Sequence, residues 1–150
     1  MRRDLTLPLA PAPLPSGVTL APFDERTARL CRDLMNRVYA ESLGDDPVPF
    51  DAWWPRLITD SEYDQDGMFV ARAGSDVVGF CHCWRVPFIK DLVIDSGHRR
   101  KGLGAGLLTL AMAACANRGA LSIDLKTDIG NLTAQSLYRH LGFAIVERIG

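Results

Sequence analysis

The run Arg99-Arg100-Lys101-Gly102-Leu103-Gly104 constrains this chain more than any other segment. It lies between a strand-like stretch ending at Ile94 and a helix-like stretch that opens at Gly102. The first N–H groups of a helix have no internal partner and carry partial positive charge. An anion placed there accepts several backbone hydrogen bonds at once. Glycine lets the backbone approach it without a Cβ in the way, and arginine and lysine add charge around the same point. Strand, basic turn, glycines and helix therefore read as a pyrophosphate cradle. The competing reading is a solvated basic helix start whose glycines serve packing. Neither common nucleotide fingerprint is present. A P-loop needs Gly-Lys-Ser/Thr after a longer gap, and glycines at 102, 104 and 106 do not make G-x-G-x-x-G.

The rest of the chain alternates sheet and helix patterns. Val18–Ala21 reads as a short strand. Asp24 is an N-cap for a helix to about Ser42, with Ala28, Cys31, Leu34, Met35 and Val38 on one face. Ala52–Thr59 reads as a short second helix. Met68–Ala73 and Val77–Trp84 flank a Gly74-Ser75-Asp76 turn and form a hairpin, and Phe88–Ile94 follows as a third strand. The helix from Gly102 carries Leu103, Leu107, Leu110, Ala111 and Ala114 on one face. Leu121–Lys126 is a strand, Asn131 caps a last helix closed by Gly142, and Phe143–Ile149 is a final strand. The order βααβββαβαβ implies a mixed sheet with helices packed on it, an α/β or α+β layered fold.

Composition narrows the classes further. In 150 residues, 17 Lys+Arg face 18 Asp+Glu, so no broad basic footprint for nucleic acid exists. At 47% hydrophobic and 23% charged residues, the chain can bury a core, and no stretch approaches the roughly 20 apolar residues of a membrane span. Pro8, Pro11, Pro13 and Pro15 set residues 1–16 apart as a stiff, extended tail, read as a disordered leader, with 17–150 as one domain. Proline at that density blocks a signal helix, so a cytoplasmic protein is expected. Cys31, Cys81, Cys83 and Cys115 are too sparse for a disulfide scaffold.

A second segment follows the cradle: Asn131-Leu132-Thr133-Ala134-Gln135-Ser136-Leu137-Tyr138-Arg139-His140-Leu141-Gly142-Phe143. Alone it is an N-capped amphipathic helix with a core tyrosine. Together with Leu92-Val93-Ile94-Asp95-Ser96-Gly97-His98-Arg99-Arg100-Lys101-Gly102-Leu103-Gly104, in this order, it resembles the Gcn5-related N-acetyltransferases. The resemblance runs from Val18 to the end and is sharp from Phe88 to Phe143.

The resemblance implies a mostly antiparallel sheet flanked by about four helices and acetyl-CoA as acyl donor, without a metal. It implies that Arg99, Arg100, Lys101, Gly102, Leu103 and Gly104 hold the pyrophosphate. Leu92, Val93 and Ile94 run beside the pantetheine arm, and a backbone N–H there stabilises the developing oxyanion. Asn131 bonds the pantetheine region, and Tyr138 protonates the departing thiolate. A phenol suits that role because its basicity is close to that of a thiolate. The amine proton calls for a base. Asp124 matches the family's acidic position if Ile129-Gly130 is a two-residue insertion, and otherwise Lys126 falls there. Asp91 is the rival, with Lys90 where polyamine-type members carry a glutamate; water is the third route. Only a short stretch follows Gly142, whereas family members add another strand. That strand is expected to be missing or supplied by a second subunit, which makes a homodimer the expected assembly.

The function expected is direct acetyl transfer to a primary amine of a small molecule or a protein. The alternative is a non-catalytic acyl-CoA-binding module. Nucleic-acid binding through Arg99-Arg100-Lys101 lacks surrounding basic residues and interleaved aromatics. Cys81-His82-Cys83 reads as an ordinary strand rather than half a metal site, with Val78, Phe80, His82 and Trp84 on one face and Val77, Gly79, Cys81 and Cys83 on the other. Trp53 and Trp54 line an acceptor pocket or divide between core and surface.

Overall fold

A computed structural model of the chain describes residues 1–127 and 131–146. Its strands are β1 (Arg2–Asp4), β2 (Val18–Ala21), β3 (Met68–Ala73), β4 (Asp76–Trp84), β5 (Phe88–Ile94) and β6 (Ser122–Leu125). Its helices are α1 (Glu25–Leu43), α2 (Phe50–Thr59), α3 (Leu103–Asn117) and α4 (Leu132–His140). The sheet runs β1-β6-β5-β4-β3-β2, antiparallel throughout except for the parallel pair β5 and β6.

The first helix forms where the sequence dictates. The Asp24 carboxylate accepts from Thr27 N–H at 2.9 Å while Thr27 Oγ1 accepts from Asp24 N–H at 3.0 Å, a reciprocal cap. Ala28, Cys31, Leu34 and Met35 then face the sheet and bury against Val70, Phe80 and Val93. On the opposite face, Leu103, Leu107, Leu108 and Met112 of α3 pack on Cys81, Cys83, Ile123 and Leu125. The stripe on α3 thus differs from the expected one: Leu110 and Ala114 are half-buried, and Leu108, Met112 and Cys115 take the interior.

The expected faces of β4 hold with one correction. A bulge leaves Val78 without a partner between Ala71↔Gly79 and Arg72↔Val77. The extra residue moves Val78 to the α3 side and Val77 to the α1 side, because a bulge reverses the alternation beyond it.

The amino terminus departs most from the reading of 1–16 as a disordered tail. Its first residues form β1, paired with β6 through Arg2↔Asp124, Arg3↔Ile123 and Asp4↔Ser122. Arg2 also exchanges both backbone hydrogen bonds with Ala144, at 2.8 and 2.9 Å. β1 thus takes the sheet position beside β6. Leu9 and Leu14 lie against the α3-side core as the segment crosses towards β2. Arg3, only 6% exposed, donates to the carbonyls of Asp4, Leu7, Pro8 and Leu141. Gly142 makes this possible: its φ is +95°, and a Cβ there would stand 2.6 Å from Arg3 Nε. Of the final strand expected over Phe143–Ile149, residues 147–149 lie outside the described residues, as do Ile129 and Gly130 of the expected insertion.

Candidate functional site

β5 and β6 pair only at Phe88↔Asp124 and Ile89↔Leu125. β6 then ends while β5 runs on to Ile94, so Lys90–Ile94 have no strand partner on that side among the described residues. Half of a strand's backbone N–H and C=O groups point to each edge. The stretch containing Leu92, Val93 and Ile94 therefore presents polar backbone towards a gap between two strands. The other edge of this stretch is paired with β4, which fixes its position.

The far end of that edge enters the basic turn. Asp95 N–H bonds Val78 O at 2.8 Å, and the Asp95 carboxylate is held by Arg37 of α1 at 3.0 Å and by His98 Nδ1 at 3.1 Å. His98 first and Arg37 next hold this carboxyl below the usual range, although burial opposes them. Arg99 Nε reaches Ile94 O at 3.3 Å. Arg99, Arg100, Lys101 and Gly102 are exposed. Arg100 and Gly102 take positive φ, 62° and 84°, which turns the backbone into the start of α3. Gly102 is the N-cap and offers no side-chain hydrogen bond, so the first helical N–H groups keep no cap. A Cβ built on Gly102 meets nothing within 4 Å, so the mouth of this turn is open space. Leu103 itself is buried in the core, so it can offer a ligand only its backbone. Gly104 approaches Ile94 and Leu137, joining the cradle to α4.

Asn131 caps α4 through Oδ1, which accepts from Ala134 N–H at 3.1 Å. Its amide nitrogen has no part in that cap. About two turns further on, Tyr138 is half-buried on the α3-side core with Phe143 edge-on at 6.0 Å. Burial, with the Cys81 thiol nearby, pushes its phenol above the ordinary value.

The two aspartates named in the sequence stand apart. Asp124 opposes Phe88, three residues before Asp91 along β5, which is about 10 Å. It is partly exposed and gripped by Arg2 at 2.7 and 3.1 Å; that hydrogen-bonded ion pair holds its carboxyl low. Asp91 is only 9% exposed and turns towards α1. Tyr39 OH donates to its Oδ1 at 2.6 Å. His82, its partner across β4, brings Nδ1 to 3.6 Å from Oδ2, longer than a hydrogen bond. Among the described residues, neither ring nitrogen of His82 has a hydrogen-bond partner, although the residue is 2% exposed. Burial would raise the Asp91 carboxyl, but His82, Lys90 and Tyr39 together keep it below the usual range. Burial and then the Asp91 charge push the Tyr39 phenol up, and Tyr138 is within electrostatic reach of it.

Tyr39, His82 and Arg32 escape the sequence reading. Arg32 is buried in α1, bonded to Asn36 at 3.0 Å and lying over the Trp53 ring at 5.4 Å; burial lowers its pKa against the opposing charge of Asp91. A usable signal for His82 was the hairpin register, which sets it opposite Asp91. Arg32 was signalled by its place beside Cys31 on the apolar stripe. Trp53 and Trp54 are both half-buried, packed with Phe50, so the expected division of one into the core and one half-exposed does not hold. Cys81 and Cys83 face α3 while His82 faces α1, so these three side chains do not converge on one point. Among the described residues, no helix is long and apolar enough to cross a membrane.

Residues 29–143 match the family model described as acetyltransferase (GNAT) family. The chain belongs to the GNAT acetyltransferase family. The human protein N-alpha-acetyltransferase 30 is 28% identical over 159 aligned positions, covering 90% of this chain and 40% of its own length. The Serratia marcescens aminoglycoside N(6')-acetyltransferase type 1 is 34% identical over 88 positions, covering 56% of this chain and 60% of its own. The chain thus spans less than two thirds of either relative. The solved structure of AAC(6')-Iy in complex with the bisubstrate analogue CoA-S-monomethyl-acetylneamine has the same fold, with a TM-score of 0.71 at 16% identity, over 90% of this chain and 96% of that one.

Proposed function

We propose that the chain is an N-acetyltransferase that moves an acetyl group from acetyl-CoA directly to a primary amine of a small molecule or a protein. One observation carries the reading. Among the described residues, a single strand, β5, leaves an edge without a strand partner over Lys90–Ile94 and leads at its end into an open, basic helix start with no side-chain cap. That arrangement suits a long ligand with a polar arm and an anionic end. Family membership and the two named relatives point the same way, one acting on N-alpha groups and one on aminoglycosides by their names.

The roles follow from residue chemistry. Arg99, Arg100 and Lys101 neutralise the pyrophosphate while N–H groups at Leu103 and Gly104 donate to it. Backbone of Leu92, Val93 and Ile94 bonds the pantetheine arm. A fixed N–H there, aimed at the thioester oxygen as it gains charge, is worth roughly 3–4 kcal/mol. Asn131 donates its amide N–H to the same arm. Tyr138 gives its proton to the departing sulfur, and its raised pKa keeps that proton in place until then.

Titration calorimetry of the purified protein with acetyl-CoA tests the assignment, with Gly102→Glu and Arg99→Glu as controls. Micromolar binding that both variants lose, with circular dichroism unchanged, supports it. Folded wild-type protein that binds no acetyl-CoA refutes it. Amines, including an N-terminal peptide and an aminoglycoside, are then compared by release of the CoA thiol.

A further inference from the structure

At the end of α3 remote from the cradle, two cysteines meet. Cys83 Sγ on β4 and Cys115 Sγ on α3 lie 3.7 Å apart, each 1% exposed. Arg118 Nη2 stands 3.4 Å from Cys115 Sγ, and the same guanidinium holds Asp64 at 2.5 Å. A small cavity of about 30 Å³ borders both cysteines and is walled by Arg118, Asp66 and Phe69. Arg118 is itself partly exposed.

Three features make this more than a packed pair. A guanidinium beside a sulfur favours thiolate, the nucleophilic form. A second thiol in van der Waals contact can resolve an oxidised first one. A cavity of this size admits a molecule no larger than a water or a peroxide. The Cys83 thiol, followed by Arg118, holds Cys115 below the ordinary cysteine value, whereas Cys83 is pushed up by its bond to Cys115 and by burial. The Arg118 contact falls on the Cys115 sulfur, which makes Cys115 the attacking thiol and Cys83 the resolving one.

We infer that Cys115 is a peroxide-modified cysteine and that Cys83 resolves it to an intrachain disulfide joining α3 to β4. The Cys115 thiolate attacks one oxygen of hydrogen peroxide. The O–O bond breaks, Cys115 becomes a sulfenic acid and hydroxide leaves, taking up the proton Cys115 had released. Cys83 then attacks the Cys115 sulfur, the S–OH bond breaks, and the Cys83 proton leaves with that hydroxyl as water. Two thiols and one peroxide give one disulfide and two waters. The sulfurs have to close from 3.7 Å to about 2.0 Å, a shift that side-chain rotation and a small helix displacement supply. Closing the bond fixes the C-terminal end of α3 to the sheet.

The test uses the full chain, treated with hydrogen peroxide and compared with an untreated sample. Two of the four thiols should disappear. Peptide mapping should find a Cys83–Cys115 cross-link lighter by two hydrogens, and a dithiol reductant should restore all four thiols. Cys83→Ser should stop at a sulfenic acid on Cys115, trapped by a dimedone probe. Because serine at either buried site can unfold the chain, Arg118→Gln is the second variant, and thiol loss there should slow several-fold. Four thiols surviving in the folded wild type, a bridge to Cys81 instead, or a sulfonic acid on Cys115 without a cross-link would each overturn the inference.

Discussion

Tyr39→Phe is the sharpest probe of the buried cluster on β5. The change deletes one oxygen and leaves the ring in place, so it makes little cavity. It removes the O–H that donates to Asp91 Oδ1 at 2.6 Å. A hydrogen bond to a charged group is worth about 1.5–3 kcal/mol, and here the acceptor is a carboxylate with little access to water. His82 lies too far to replace the lost donor. We expect a loss of about 2 kcal/mol at pH 7. The sign of its pH dependence follows from Asp91. The folded carboxyl is held below its unfolded value, so its contribution is present above the unfolded pKa and is lost as pH falls through the folded one. Tyr39→Phe raises the folded pKa, since one pKa unit corresponds to about 1.4 kcal/mol. The gap between variant and wild type is therefore widest at neutral pH and narrows through the acid range. Urea unfolding at several pH values, with the Asp91 carboxyl followed by NMR, measures both. A loss below about 0.5 kcal/mol at pH 7, or a gap that stays constant with pH, refutes the reasoning.

Three further outcomes are expected. Gly142→Ala forces a Cβ into a left-handed backbone position and against Arg3, and should cost about 1–3 kcal/mol in denaturant unfolding while loosening β1 in hydrogen exchange. Tyr138→Phe should lower turnover about 100-fold or more with acetyl-CoA affinity nearly unchanged, and equal turnover would remove it as the acid. Arg2→Gln should let the Asp124 carboxyl rise towards the ordinary value in an NMR titration; an unmoved Asp124 would show that something other than the ion pair holds it.

What the sequence made legible was local. The basic turn before α3 is visible because a positive φ favours Gly102 and three basic residues precede it directly in the chain. The α1 cap is visible because Asp24 stands directly before the helical apolar stripe, and Thr27 completes it. β1 is hidden because its pairing joins Arg2 to Asp124 across nearly the whole chain, and because Arg-Arg-Asp has no apolar alternation. The prolines after it then suggest a tail. The Tyr39–Asp91–His82 cluster is hidden for the same reason. One member comes from a helix and two from facing strands, and only the register of β4 on β5 sets His82 against Asp91. Arg32 reads as an interruption of an apolar stripe until Asn36 and Trp53 are seen around it.

On the proposed reaction, both aspartates share one weakness as bases. A general base works best with a pKa near the working pH, and each of these carboxyls is held below even the ordinary carboxylate range. Asp124 has in addition surrendered both oxygens to Arg2. Asp91 Oδ2 lies 3.6 Å from His82 Nδ1, beyond ordinary hydrogen-bond length, and the carboxylate carries its charge in a poorly screened place, where a charge acts strongly on a cationic amine. Its contribution on this reasoning is to attract and orient the acceptor, with the proton leaving through water. Asp91→Asn should then raise KM for a cationic amine and leave the acid limb of the pH–rate profile where it was. Asp124→Asn should change neither. A shifted or flattened acid limb in Asp91→Asn would instead make Asp91 the base.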